Sequence, residues 1–590
     1  MQKQRAKAVH VGEWIFLLLV LIALTANAIY WASKKEGFHI DEMFSYAQIC
    51  SPSNVRPEKV PGFLNNWHDA SFWEDFLIVS EEEAFDLVGA WNTAKINHAH
   101  PPLFFVVFEL VSSLFFQNRF SRWSALTVNL IFFVLQLFVF YLLSKRVFKN
   151  RAISMASLVI YGISIGAVET VVFLRMYMML TFFSTLLLYL HSVYFESVII
   201  RRWEPRRSVP ICFAISATLL AGALTQYYFL IFAFFVCLFS AVALLYYRQW
   251  RHAIHYVCFT CVTILLDFMI CPSLIYDLLH SSRGRQAIES AADRSAFLPH
   301  LRDYLSIESR CLFGSQAKLF VLFLGLLLLC AVVGRLFRCL RSNDRGQKKS
   351  MSGQLDCGRR PGEETGESVA GHESRVVSLG VLEILQILFC CGCTMLVIVA
   401  IAPLQTVRYV MNLFPGIVVI SLAIPVGLAA CFQDKGKGIW AIAAVFLLVL
   451  ELLGYRGLGI LYLYPGMNEN VQQLEAYSGT RACVLLESKN RVNSMTPYLT
   501  LSPSTYTTSV ENIENIAKEF NKAESLLLYI GCDSTERSNV VAEELLDTFP
   551  EARVRWLFRS VGAGKFNAYY MFYDEADPDS TPDTTEDTGT

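Results

Sequence analysis

Charge is what this 590-residue chain has little of: Asp, Glu, Lys and Arg together make up 17% of it, against 54% hydrophobic and 13% aromatic residues. A soluble enzyme of this length would need more polar surface, so that class is excluded and a polytopic membrane protein is expected. There is no basic excess either, the formal net charge being −1. The total hides basic loops segregated from acidic ends; it carries no nucleic-acid signal, and no nucleic-acid partner is expected. Metal-binding ladders are missing too. Most of the 16 cysteines fall inside apolar runs, where thiols behave as small hydrophobes. Cys258 with Cys261 and Cys390 with Cys393 have CxxC spacing, but neither pair has a His/Cys series nearby, which argues against structural zinc. Cys483 and Cys532 are two that an oxidising compartment would allow to pair. No internal repeat, Gly-rich phosphate loop or nucleophile elbow is present.

What is there is a succession of apolar runs. After Lys3, Arg5 and Lys7 comes a run from Trp14 to Trp31, close to the roughly 20 residues that span a bilayer. Ala26-Asn27-Ala28 imitates a signal-peptidase site, but the run continues past it, so an uncleaved first helix with a cytoplasmic amino end is expected. A polar outer loop, 33–100, follows. In it Trp73, Phe76, Leu77, Ala84, Leu87, Val88 and Trp91 recur at near-helical spacing, which predicts a helix lying flat at the interface. Prolines then open an apolar segment, 102–116.

Further apolar runs lie at 123–143, 152–168, 176–199, 209–246, 253–275, 318–334, 377–402, 409–431 and 439–462. Basic clusters such as Lys145, Arg146, Lys149 and Arg151 punctuate them. Keeping these clusters cytoplasmic requires that 102–116 not change sides and gives about eleven full crossings, with the carboxyl end outside. The loop 276–317 argues against this, since it would be outside while carrying Arg283, Arg285, Arg294, Arg302 and Arg310. The stretch 336–376 reads as a flexible cytoplasmic loop.

Beyond Pro465 the composition becomes soluble. Strand-like segments at 482–487, 525–530, 553–558 and 567–573 alternate with helical stripes such as Val510, Ile513, Ala517 and Phe520, and Thr508 with Glu511 has capping-box spacing. The organisation expected is therefore an all-α polytopic membrane domain over 1–464, with about 11 to 12 transmembrane helices. A small extracytoplasmic α/β domain over 465–573 and an acidic, disordered tail over 574–590 complete it.

Chemistry concentrates at His39-Ile40-Asp41-Glu42-Met43-Phe44-Ser45-Tyr46, where the first apolar run meets water. Acids there can accept a proton from a hydroxyl while a lipid-borne substrate approaches sideways; the plain alternative is an acidic helix cap. Outer-side polar residues recur from other segments: His98 and His100, Arg122, Glu169, Arg175 with Tyr177, Gln226 with Tyr227 and Tyr228, and Arg408 with Tyr409. Charges are costly at membrane level, so their gathering on one side suggests a shared cavity. Membrane transport, or flipping of a lipid-linked sugar, is the alternative from another class, disfavoured because the charges do not sit at mid-membrane. An assembly subunit with a decayed site is a third.

In order, FHIDEMFSY, HAHPPLFF, RWSAL, LRMYMML, QYYF and RYVMNLFP resemble the motifs of GT-C integral-membrane glycosyltransferases, in the branch of the protein O-mannosyltransferases and the lipid A aminoarabinose transferase. The resemblance covers residues 10–430. It implies an inverting transferase that moves a sugar from a polyprenyl-phosphate donor to a glycan, lipid or protein acceptor of the cell envelope, on the outer face of the cell membrane. By the same resemblance Asp41 is the catalytic base with Glu42 its neighbour, and His100 lines the cavity. Arg175 with Tyr177, and Arg408 with Tyr409, are implied to hold the lipid phosphate, a task suited to the planar guanidinium fork. Relatives often carry Gln-Glu-Ala before that first arginine, whereas Val172, Phe173 and Leu174 stand here and the acid is Glu169. Gln226 stands where relatives often have His; Tyr227 and Arg122 complete the expected substrate-binding set. His98 and His100 leave a divalent metal open as the one cofactor.

Overall fold

The computed structural model describes residues 2–573 apart from 52–54, 98–99, 201–204, 273–275, 277–281, 351–378, 430–437, 522–523, 561 and 563. His98, most of the 336–376 loop and the 574–590 tail thus lie outside the described residues. The chain divides into two compact units. One comprises Met1–Ile29, Asn129–Val171 and Met176–Ile460; the other comprises Tyr30–Val128, Val172–Arg175 and Leu461–Thr590. Compactness therefore groups the first outer loop with the C-terminal region, where composition alone had drawn a boundary near residue 464.

The first unit is helical. Among the described residues eight helices of the chain are long and apolar enough to cross a membrane, beginning with α1 (Gln2–Ser33), and ten if two bent pairs each count as one span. The chain is a multi-pass membrane protein. Among the described residues two further apolar stretches are shorter, Leu103–Phe115 with 13 residues, in the segment expected not to change sides, and Ser208–Ala223 in the first half of 209–246; they account for the difference from the expected 11 to 12. The helix Trp250–Ile270 shows the inverted amphipathicity that a lipid solvent selects. Its buried positions include Tyr256, Thr260, Thr263 and Asp267, while Ile254, Val262, Leu265 and Met269 are exposed. Inside, polar groups find one another, as where Gln136 donates to Thr185 at 2.9 Å and the Thr263 hydroxyl to Ser216 at 2.9 Å.

Both bends have local causes. Arg151–Ile163 and Ile165–Val172 meet at 52° because Ser164 takes an extended conformation, its Oγ capping Ala167 N at 3.1 Å, while Glu451 accepts from Ile165 N at 3.3 Å. Phe297–Phe313 ends at Gly314, whose left-handed φ of +53° turns the chain 80° into Ala317–Val333. A Cβ on Gly314 would lie 2.1 Å from the Leu450 carbonyl oxygen. The helix begun at Ala317 runs on to Ser350, so the first part of the predicted flexible loop is helical.

The second unit is built on a six-stranded sheet of order β1-β3-β2-β4-β6-β5, with β1 Asn66–Asp69, β2 Ala482–Leu486, β3 Ser504–Ser509, β4 Leu526–Gly531, β5 Arg553–Arg559 and β6 Asn567–Phe572. β2 is parallel to β3 and β4; the outer pairs are antiparallel. Alternation along β2 sends Ala482, Val484 and Leu486 to one core, with Trp73, Met467 and Phe566, and Cys483 and Leu485 to the other, with Ile530, Val541 and Leu545. Cys483 and Cys532 are separate buried thiols. β1 comes from the first outer loop, and Asn65 N donates to Thr507 O at 2.6 Å beside it.

Two local expectations fail here. The predicted flat helix over 73–91 is instead Ala70–Glu74, a run of turns and Leu87–Asn97, broken before Phe85 with its φ of +66°. Trp73 is fully buried in the sheet's core and does not lie on an interface. Ser509, not Thr508, caps the turn at Val510, because the Thr508 hydroxyl is used on Asn65 at 2.7 Å.

Candidate functional site

The Asp-Glu pair opens α2 (Ile40–Cys50), and the local sequence dictates that start. His39 is extended, its Nδ1 accepts from Asp41 N at 3.0 Å, and Glu42 Oε2 accepts from His39 N at 2.7 Å, the reciprocal arrangement of a capping box. Two acids in the first turn also suit the positive end of the helix. Downstream, α2 buries Met43, Tyr46, Ala47 and Cys50, and the Tyr46 hydroxyl donates to Ser121 O at 2.9 Å.

The two acids then part company. Glu42 is wholly buried: Oε1 accepts from Lys35 Nζ at 3.0 Å and from Leu174 N at 2.8 Å. Lys35, equally buried, also donates to the Tyr462 carbonyl at 2.5 Å. Burial pushes the Glu42 carboxyl above and the Lys35 ammonium below their ordinary ranges, each resisted by the other's charge. Asp41 keeps 18% of its side chain exposed, with Oδ2 3.7 Å from His39 Nδ1. Arg175, only 2% exposed, donates through NH1 to the Asp41 carbonyl at 2.8 Å and to Ser45 Oγ at 2.6 Å. Aromatic rings enclose this turn. Phe173 stacks on Tyr462 at 4.1 Å and 15°, and His39 meets both edge-on at 5.5 and 5.9 Å.

Asp41, Glu42 and Arg175 are thus brought together within the second unit, and Arg122 lies near enough to act electrostatically on Lys35. His100, half-buried, lies in the same unit. The described residues contain no group of three or more His, Cys, Asp or Glu side chains that could hold a metal ion. A second gathering belongs to the first unit. The Tyr228 and Tyr409 rings lie 4.7 Å apart, tilted by 36°, the Arg408 guanidinium lies 5.2 Å from the Tyr409 ring centroid, and Tyr177, Tyr304 and Arg408 all act electrostatically on the Tyr228 hydroxyl. A phenol-lined place beside a guanidinium suits a phosphate or a sugar face.

Other expected residues are used locally. Glu169 is paired through both oxygens with Arg310, at 2.5 and 2.9 Å. Gln226 is buried, and its carbonyl accepts from Tyr227 N at 2.7 Å. Sequence reasoning did not single out Lys35, Tyr462, Tyr304 or Arg310's pairing with Glu169, and it favoured Tyr227 over Tyr228. One signal was legible: His39 and Glu42 have the spacing of a cap and its partner.

No protein-family model matches the sequence, and a search of curated proteins finds no match. Among solved structures the chain is similar to ArnT from Cupriavidus metallidurans bound to undecaprenyl phosphate, at 9% identity over 95% of this chain and 98% of that one, with a TM-score of 0.45. The apo state of the same protein gives 10% identity over the same shares, with a TM-score of 0.46. The apo oligosaccharyltransferase of Archaeoglobus fulgidus gives 11% identity over 90% of this chain and 68% of that one, with a TM-score of 0.42.

Proposed function

We propose that the protein transfers a sugar from a polyprenyl-phosphate donor to a hydroxyl-bearing envelope acceptor, on the non-cytoplasmic face of a membrane in which its amino end is cytoplasmic. The observation that carries this reading is the division of labour at the start of α2: Glu42 is buried and engaged through both oxygens, and Asp41 alone of the pair reaches solvent. A carboxylate so placed can take the proton of an incoming hydroxyl. The acceptor oxygen then bonds to the anomeric carbon from the side opposite the phosphate, and the carbon–oxygen bond to the phosphate breaks. Polyprenyl phosphate departs with the electron pair, and the anomeric configuration inverts. Arg175, only 2% exposed and held in the same unit at the Asp41 carbonyl and Ser45, is assigned the fixed positive charge that the leaving phosphate needs; preorganised charge of this kind lowers the barrier without reorganisation during the reaction.

The test is to purify the protein with radiolabelled polyprenyl-phosphate sugars and to compare wild type with Asp41→Asn. Loss of a general base is expected to reduce transfer by about 10²- to 10⁴-fold while leaving the melting temperature unchanged. Undiminished transfer by the variant would reject Asp41 as base. Movement of the intact donor across the membrane with no bond cleavage would favour the transport reading.

A further inference from the structure

On the sugar-transfer reading, we infer that Glu42 and Lys35 are a positioning pair for Asp41, and that the chain returning after the last membrane helix, at Tyr462, forms part of the same device. Glu42 is a single carboxylate that ties the stretch from Lys35 to Glu42 to a segment remote in sequence. Its Oε1 accepts from Lys35 Nζ and from Leu174 N, a partner 132 residues away, and its Oε2 accepts from His39 N. Lys35 carries the connection further, to the carbonyl of Tyr462, 427 residues from it. One residue on, Glu36 repeats the stitch: its N–H donates to Leu463 O at 2.7 Å, and its carboxylate accepts from Gly466 N at 2.6 Å.

The two groups that flank Asp41 both depend on Glu42. Fixing Leu174 N holds the tight turn in which Arg175 N donates to Phe173 O at 2.7 Å, and that turn aims Arg175 at the Asp41 carbonyl and Ser45. Fixing His39 N holds the imidazole whose Nδ1 accepts from Asp41 N. The same nitrogen lies 3.7 Å from Asp41 Oδ2, so the bond that fixes His39 N also sets the ring beside the carboxylate. Neither oxygen of Glu42 is left for a substrate, so the group acts through its neighbours and not on the reacting atoms. The pair is also mutually required. With both side chains at zero exposure, removing either charge strands the other in a dry site.

A charge-removal cycle tests this: Glu42→Gln, Lys35→Met and the double variant, with kcat, donor KM, the pH profile of kcat and amide exchange over 172–176 as readouts. Each single variant is expected to lose about 10²-fold in kcat, the effect of misplacing a catalytic group by about 1 Å, with a smaller change in KM and faster amide exchange over 172–176. The double variant strands no charge. Glu42→Gln keeps one acceptor oxygen, enough for Leu174 N but not also for His39 N, so the double variant is expected to recover part of the lost kcat, with slow exchange over 172–176 restored and a pH profile still governed by Asp41. A double variant as inactive as Glu42→Gln would make Glu42 a participant in the chemistry and overturn the inference, as would single variants with full kcat. Should the singles fail to fold, the double against wild type decides by the same criteria. If wild type transfers no sugar from any donor, the transferase reading falls, and exchange over 172–176 still decides: unchanged rates in the singles would sink the positioning role.

Discussion

The helical unit and the sheet-bearing unit both bury charge, but to different ends. In the helical unit a buried acid settles the geometry of helices: Glu169 takes both nitrogens of the Arg310 fork, and Glu451 accepts the amide at the break before Ile165. In the sheet-bearing unit a buried acid settles the connectivity of loops, since Glu42 joins segments that begin near residues 35, 172 and 462. The first kind of pairing holds a scaffold in a solvent that offers no hydrogen bonds. The second helps make a reactive turn out of stretches of chain that lie far apart in sequence. Of the two adjacent acids, Asp41 alone keeps part of its side chain exposed.

The comparison can be broken most forcefully at Arg310. Arg310→Met leaves Glu169 buried without its cation, and loss of one partner of a buried pair costs about 3–5 kcal/mol. We expect a large fall in the thermal midpoint of the detergent-solubilised protein, and substantial recovery on adding Glu169→Gln. Recovery would show that the pair is a scaffold element, interchangeable with neutral packing. If the double variant melted as early as the single, the carboxylate would have a further role of its own.

Gly314 tests the scaffold without charge. Gly314→Ala places a side chain in the left-handed region and 2.1 Å from the Leu450 carbonyl, so the 80° bend must open or the helix Ile439–Gly457 must move. Backbone strain of about 1–2 kcal/mol and overpacking of about 1–3 kcal/mol add to an expected loss of about 2–5 kcal/mol. The readout is again the thermal midpoint, and a neutral result would mean that the Phe297–Phe313 helix is not pinned at its end.

How far each unit was legible in the sequence follows from the range of the forces that shape it. Apolar runs specify membrane helices locally, so Arg122–Phe148 or Trp250–Ile270 could be read from composition, and Asp41, Arg175 and Arg408 stood out as charges beside such runs. The strands β1 and β3 could not be found this way. Asn66-Trp67-His68-Asp69 is polar and four residues long, and Ser504-Thr505-Tyr506-Thr507-Thr508-Ser509 has no apolar run; each becomes a strand because the other lies beside it. Lys35 was illegible for a related reason. A lysine just past an apolar helix reads as an interfacial anchor, and only the arrival of Glu42 and Tyr462 reveals a wholly buried ammonium. Glu42 could not be told apart from Asp41 because adjacent acids look alike in sequence, whereas on a helix they point about 100° apart.

The gentlest way to sharpen the comparison is pH, through His68 on β1. Its ring stacks on Phe63 at 5.6 Å and on Phe72 at 4.1 Å, and its Nε2–H donates to the Phe63 carbonyl at 2.9 Å. Burial holds the imidazole below its ordinary range, opposed by that carbonyl bond and by the Asp69 charge. The folded protein therefore resists a proton that the unfolded chain accepts near the usual histidine value of about 6.5. Its contribution to stability is present in full above that pH and is lost as pH falls from there through the folded value. His68→Gln keeps a donor for Phe63 and removes the titration. Between pH 7.5 and pH 5 the wild-type midpoint should fall slightly more than that of the variant, and the difference should track exchange of the β1 and β3 amides. Parallel curves would mean that the ring titrates as freely in the folded protein as in the unfolded one, and that β1 is not held to the sheet by a neutral histidine.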